Sequence, residues 1–317
     1  MSSPNPALAI VFPGQGSQAV GMMSAWSDEP VIRKAFAEAS EALGYDLWAL
    51  VEHGPAETLD QTDRTQPAIL TASVALWRLW QERGGAWPAA LAGHSLGEYS
   101  ALVAAGALSL PDAVELVADR GRFMQEAVPA GEGGMAAVLG LEDDQVATLC
   151  TEAGQGEVVQ PVNYNAPGQV VIAGSRAAVD RAAEAAKAAG AKRVMPLPVS
   201  APSHCSLMRD AAERLSERLE AVSLDVPRVP VLHNVDVATS DDPTEIRRRL
   251  VEQLANPVRW TETVQRMAQD GVETLIECGP GKVLTGLTRR IDRNLQGKAL
   301  GDPGAFDEAI AAFPAQA

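Results

Sequence analysis

Leu91-Ala92-Gly93-His94-Ser95-Leu96-Gly97-Glu98 carries an apolar run into a Gly-x-Ser-x-Gly pentapeptide and a helix-forming segment out of it. Glycine at 93 and 97 removes the side chains that would clash where a strand turns sharply into a helix. Ser95 is thereby expected to sit exposed on the turn in a strained conformation, a nucleophile elbow. Its hydroxyl then lies at a helix N-terminus, where backbone N–H groups and the helix dipole favour an oxyanion. A glycine-flanked tight turn with an incidental serine is the plainer reading; the strand before and the helix after favour catalysis.

Outward from the elbow, short apolar segments at 7–12, 90–94, 229–235 and 274–278 read as strands. Helical periodicity at 31–43, 67–83, 111–127, 205–222 and 261–270 separates them, which predicts an α/β fold with a parallel sheet flanked by helices. Between 129 and 197 the order changes. Strand 135–139, helix 143–153, strands 158–164 and 169–174 across Asn165-Ala166-Pro167-Gly168, helix 176–189 and strand 193–199 form the βαββαβ order of a ferredoxin-like α+β unit. Flanked by Pro129-Ala130-Gly131-Glu132-Gly133-Gly134 and by Pro196 and Pro198, this unit is expected to be a small domain (129–197) inserted into a large one (1–128 and 198–317), with the chemistry in the cleft between them. The tail after Gly301 carries no chemical signal.

The chain has 317 residues, 46% of them hydrophobic, enough for ordinary cores. Residues 1–7 lack the basic and apolar regions of a signal peptide, and no apolar run approaches the roughly 20 residues of a membrane helix, so the cytoplasm is the expected compartment and no membrane partner is expected. Cys150, Cys205 and Cys278 are odd in number and widely spaced, a pattern of neither disulfides nor a metal site. Acidic residues number 41 against 26 basic, a net charge of −15 that argues against nucleic-acid binding. An acidic partner would need a local basic patch.

A serine nucleophile needs a base. His53 reads as a surface residue in a loop, His94 as a structural or subsite neighbour of Ser95, and His233 as a hydrogen-bonded core imidazole within strand 229–235. His204 is the candidate: it follows a strand broken at Ala201-Pro202, and Ser203 is a suitable N-cap for the next helix, whose positive end would keep the imidazole neutral. A surface histidine near a helix cap is the competing reading. Cys205, beside His204, is a weaker nucleophile candidate than Ser95. Arg120 has Leu116, Val117, Phe123 and Met124 as helical neighbours, so its guanidinium rises from an apolar face and needs an anion. That anion is either a structural carboxylate or a substrate carboxylate.

A rival signal lies at the first strand, which runs into Pro-Gly-Gln-Gly-Ser-Gln-Ala (13–19), where Gly14, Gly16 and Ala19 meet a relaxed dinucleotide fingerprint. No second strand ending in Asp or Glu follows about 20 residues later. Such a loop can equally lend N–H groups and the Gln15 amide to an oxyanion hole.

Phe-Pro-Gly-Gln-Gly-Ser-Gln (12–18), Thr-Gln-Pro-Ala-Ile (65–69), Gly-His-Ser-Leu-Gly-Glu-Tyr (93–99), Asn-Tyr-Asn-Ala-Pro-Gly-Gln-Val-Val-Ile-Ala-Gly (163–174), Pro-Ser-His (202–204), Gln-Leu-Ala-Asn-Pro-Val-Arg-Trp (253–260) and Glu-Cys-Gly-Pro-Gly (277–281) together resemble the malonyl-CoA:acyl carrier protein transacylase family, in order from about residue 9 to 290. The resemblance implies a hydrolase-like large domain with a ferredoxin-like insertion, and malonyl transfer from malonyl-CoA to acyl carrier protein in fatty-acid or polyketide synthesis. It implies a malonyl-serine on Ser95, His204 as base, Arg120 on the malonyl carboxylate, Gln15 and the Leu96 N–H as oxyanion donors, and the Gln253 main-chain carbonyl orienting the histidine. No metal or redox cofactor is implied, and a monomer is expected. The carrier protein is expected to dock on local basic clusters, Lys187, Lys192 and Arg193 or Lys282, Arg289, Arg290 and Arg293. The alternatives are a serine thioesterase or carboxylesterase, which leaves Arg120 without purpose, and a docking module with a relic site.

Overall fold

The computed structural model describes residues 3–199 and 201–315. Met1 and Ser2, part of the segment expected to carry no signal peptide, lie outside the described residues, as do Ser200, Gln316 and Ala317 of the expected large-domain range. Strand β1 (Asn5–Phe12) is buried without interruption from Leu8 to Phe12, as a strand covered on both faces requires. Leu8, Ile10 and Phe12 enter one core and Ala9 and Val11 another, the period-2 split that places helices on both sides.

Along the chain follow α1 (Pro30–Leu43), α2 (Leu47–His53), α3 (Ala56–Leu59), α4 (Thr62–Glu82), β2 (Pro88–Gly93), α5 (Gly97–Ala104) and α6 (Leu110–Ala127). Next come β3 (Gly133–Leu139), α7 (Asp143–Gly154), β4 (Val159–Ala166), β5 (Gln169–Ser175), α8 (Arg176–Ala188) and β6 (Arg193–Pro196), whose strands form a second sheet. The chain then returns through α9 (Arg209–Glu220), β7 (Val231–Leu232), α10 (Pro243–Ala255), α11 (Trp260–Gln269), β8 (Thr274–Glu277), α12 (Val283–Ile291), β9 (Gln296–Ala299) and α13 (Pro303–Ala312).

The first sheet has the order β7-β2-β1-β8-β9, every pair parallel. The second has the order β4-β5-β3-β6, every pair antiparallel, the ferredoxin-like arrangement expected from βαββαβ. The two meet at β4: Val258 N donates to Val162 O (2.8 Å), Tyr164 N to Val258 O (3.0 Å) and Thr261 Oγ1 to Tyr164 O (3.0 Å). The small sheet is thus stitched to the segment before α11.

Several expected elements differ. Strand 229–235 shrinks to Val231–Leu232, with a turn from Asn234. Helix 67–83 begins five residues earlier, with Pro67 inside α4, and helix 205–222 becomes a short 3-10 turn followed by α9 from Arg209. Strand 193–199 stops at Pro196, because proline lacks the N–H a ladder needs. The expected elements do not include α2, α3, α10, α12, α13 or β9; among the described residues β9 is a polar edge strand that pairs only with β8. No helix among the described residues is long and apolar enough to cross a membrane.

Candidate active site

The end of β2 passes into α5 through a turn so tight that glycine alone fits. A Cβ on Gly93 would lie 1.8 Å from the Gly97 carbonyl carbon, and one on Gly97 would lie 2.1 Å from Phe12 O. Between them Ser95 is held at φ 52°, in the left-handed region that costs a non-glycine residue strain. Asn234 holds the turn from behind: Ser95 N donates to Asn234 Oδ1 (2.7 Å) and Asn234 Nδ2 donates to Gly93 O (2.7 Å).

His204 lines the same cavity as the serine. It too is left-handed, φ 65°, and its N–H donates to Leu254 O (3.0 Å). The Ser95 Oγ to His204 Nε2 distance is 2.6 Å, and His204 Nδ1 lies 2.7 Å from Gln253 O. A carbonyl only accepts, so Nδ1 carries the proton and Nε2 is free to accept the serine's. Burial, with the nearby Arg120 charge second, pushes the His204 pKa down to about 3. The expected cause was a helix N-terminus capped by Ser203. Instead α9 starts five residues later and Ser203 Oγ lies against Met135 Sδ (3.5 Å), so desolvation keeps the ring neutral.

Arg120 is 1% exposed on α6 and no carboxylate lies within ion-pair distance among the described residues. Its fork is held by carboxamides: Nη1 donates to Gln66 Oε1 (2.8 Å) and Nη2 to Gln253 Oε1 (3.0 Å), with Ser95 Oγ 3.3 Å from Nη2. Nε has no partner. Neutral oxygens fix a guanidinium without cancelling its charge, which leaves the cation open to an anion arriving beside the serine. The structural-carboxylate reading therefore finds no partner.

Gln15 and Leu96 line the same cavity as Ser95, Arg120 and His204, a space of about 100 Å³ walled by Met124 and Met135. Gln15 Nε2 donates to Thr62 Oγ1 (3.3 Å), and the Leu96 N–H makes no hydrogen bond among the described residues. The loop from Pro13 leads only to the three-residue 3-10 turn Ser24–Trp26 before α1 at Pro30, so it does not open the α-helix that a dinucleotide fingerprint needs directly after its glycines. No cluster of three or more His, Cys, Asp or Glu suited to a metal occurs among the described residues.

A family model described as an acyl transferase domain matches residues 9–298. The malonyl CoA-acyl carrier protein transacylase of Salmonella typhimurium (strain LT2) is 59% identical over 303 residues, 95% of this chain and 98% of that protein. The chain belongs to the malonyl CoA-acyl carrier protein transacylase family. Among solved structures, the acyl carrier protein S-malonyltransferase of Vibrio cholerae superposes with a TM-score of 0.93 at 58% identity, covering 95% of this chain and 99% of that one. A malonyl-transacylase in complex with its type II PKS acyl-carrier protein gives 0.95 at 54% identity, covering 96% and 99%.

The other histidines of this transacylase-family chain take separate places. His94 Nε2 lies 2.8 Å from Asn165 Oδ1, which ties the elbow to β4. His233, wholly buried, lies just beyond β7 and donates through Nδ1 to Glu98 Oε1 (2.7 Å). His53 is exposed but ends α2 and is not in a loop. Cys205 is buried, its thiol on Pro202 O (3.1 Å), and burial raises its pKa to about 11, unfavourable for a thiolate. None of the basic-cluster residues lines the cavity. Lys187 pairs with Glu184 (2.7 Å) and Arg290 Nη1 donates to Gln169 Oε1 (2.5 Å). Lys192, Arg193, Lys282, Arg289 and Arg293 make no ion pair among the described residues.

Four site groups escaped sequence reasoning: Gln66, Glu98, Asn234 and the side chain of Gln253. Each is wholly buried and polar. Gln66, Glu98 and Gln253 fall within the blocks that carry the family resemblance, but residue type and spacing do not reveal these side-chain roles, because their partners are 54 to 158 residues away.

Proposed function

We propose that this chain transfers a malonyl group from coenzyme A to the phosphopantetheine thiol of acyl carrier protein through a malonyl-Ser95 intermediate. In the first half-reaction His204 Nε2 takes the Ser95 proton as Oγ attacks the thioester carbonyl. The Leu96 N–H and Gln15 amide bear the oxyanion. Collapse breaks the C–S bond, and the departing thiolate takes the proton from His204. In the second half-reaction the carrier thiol gives its proton to His204, sulfur attacks the acyl-serine carbonyl, and Ser95 Oγ leaves and recovers the proton. Both halves are proton and acyl transfers, so no metal or redox cofactor enters the cycle.

The observation that carries this reading is the buried Arg120 guanidinium within 3.3 Å of Ser95 Oγ, held by two carboxamides and no carboxylate. It fits an acyl group that ends in a carboxylate; a simple esterase would bury that cation for nothing. Residues 129–197 act as an inserted domain that supplies Met135 and Leu197 to the cavity wall. These apolar walls favour exclusion of water from the acyl-serine.

The test is a two-stage transfer. Protein loaded with malonyl-CoA and freed of nucleotide should pass its acyl group to holo-carrier protein in a single turnover. Release of malonate with no malonyl-carrier protein formed would replace this function with thioester hydrolysis.

A further inference from the structure

Gln253 meets the site twice. Its main-chain oxygen faces His204 Nδ1, and its wholly buried side chain joins three other groups. Nε2 donates to Ser95 O (2.9 Å) and to Glu98 Oε2 (3.0 Å), while Oε1 accepts from Arg120 Nη2 (3.0 Å). Glu98, also wholly buried, accepts further from His233 Nδ1 (2.7 Å) and from Asn234 N (2.9 Å).

A carboxamide has one donor end and one acceptor end, and its neighbours decide which faces where. Turned over, Gln253 would set its oxygen against the Glu98 carboxylate and the Ser95 carbonyl. Its NH₂ would then face a guanidinium that can only donate. The Glu98 carboxylate thus selects the orientation that offers an oxygen to Arg120. A direct Glu98–Arg120 ion pair would cancel the charge and occupy the N–H groups a ligand carboxylate needs; the amide relay fixes the fork and leaves both in place.

We propose that Glu98 is a positioning residue for the acyl carboxylate: it fixes the Gln253 carboxamide, which holds Arg120 Nη2 where a malonyl carboxylate is received. This rests on the malonyl-transfer reading above. Glu98 does not line the cavity and acts only through its neighbours. Its charge also opposes the burial that lowers the Arg120 pKa.

The experiment measures kcat and KM for Ser95 loading from malonyl-CoA and from acetyl-CoA in the full chain. Gln253→Met keeps the main-chain oxygen on His204 and removes the carboxamide. It should lower the malonyl-to-acetyl ratio of kcat/KM about tenfold, chiefly through the malonyl KM. Glu98→Ala should shift the ratio the same way, and Glu98→Ala/Gln253→Met should shift it no further than either single change, since both act along one path. Glu98→Gln should restore the ratio to within about threefold, because its oxygen can accept from Asn234 and Gln253 while its NH₂ faces the other neutral tautomer of His233. An unchanged ratio in Gln253→Met overturns the proposal. So does equal loss for both acyl groups in Glu98→Ala, an additive double variant, or a Glu98→Gln variant that loses the preference. Should Glu98→Ala fail to fold, Gln253→Met and Glu98→Gln still decide. A parent chain that does not load malonyl removes the functional reading itself; a parent that prefers malonyl while Gln253→Met keeps that preference removes the relay alone.

Discussion

Arg120 Nη2 lies 3.3 Å from Ser95 Oγ, so a buried guanidinium and a strained serine hydroxyl share one small cavity. The positive charge is within reach of any carboxylate carried by an acyl group on that serine. It also bears on His204, whose proton affinity it lowers.

Arg120→Ala should therefore lower malonyl loading relative to acetyl. A charge-assisted hydrogen-bonded pair is worth about 1.5–3 kcal/mol, roughly tenfold to a hundredfold in selectivity. Parallel kcat/KM measurements with the two thioesters check this. A variant that handles both acyl groups equally badly and melts early would make the arginine a structural residue.

The pH dependence follows from His204. Its folded pKa, about 3, is below the ordinary 6.5, so the neutral base persists as pH falls through the usual imidazole range. The malonyl kcat/KM for loading should show no His204 limb between pH 8 and 5. For stability the sign is the depressed-base one: below about 6.5 the unfolded chain takes up a proton that the buried ring refuses, so His204 costs stability as pH falls toward 3. His204→Gln should flatten that part of the stability–pH curve in urea titrations. A kinetic limb near 6.5 would mean the ring is hydrated in the working enzyme.

The elbow makes a stability prediction. Gly97→Ala places a methyl group 2.1 Å from Phe12 O, backbone that cannot step aside. The variant should lose about 3 kcal/mol or more, read by denaturant unfolding. A loss under about 1 kcal/mol would mean that β1 and α5 are less tightly joined than the structure has them.

This steric requirement is why the elbow could be read at all: it appears in the chain as glycines at 93 and 97 between an apolar run and a helix. Arg120 was legible because helical periodicity isolates one charge among Leu116, Val117, Phe123 and Met124, all buried in α6. The ferredoxin-like order was legible because each strand and helix between 133 and 196 has its own period. The left-handed turn at His204 leaves no such mark, nor does the two-residue β7. Glu98, Asn234 and Gln253 come from α5, the turn after β7 and α10, and acquire meaning only where those elements converge. β9 and α10 hid behind polar composition, the one at a sheet edge and the other rich in arginine.

The carrier protein must approach a chain of net charge −15. Arg289 and Arg290 lie in the last turn of α12 with no ion pair among the described residues, and Lys192 directly precedes Arg193, the first residue of β6. Reversing either pair to Glu should raise the apparent KM for carrier protein and flatten its salt dependence while loading from malonyl-CoA stays nearly unchanged. If both double variants accept carrier protein as the parent does at low salt, docking lies elsewhere.

Intact-protein mass spectrometry with peptide mapping after exposure to malonyl-CoA tests the central claim most directly. The parent chain and Cys205→Ala should each gain one malonyl group on the peptide that contains Ser95, and Ser95→Ala should gain none. An adduct that survives in Ser95→Ala, or one that maps to Cys205, would contradict the assignment of Ser95 as nucleophile and the acyl-transfer cycle built on it.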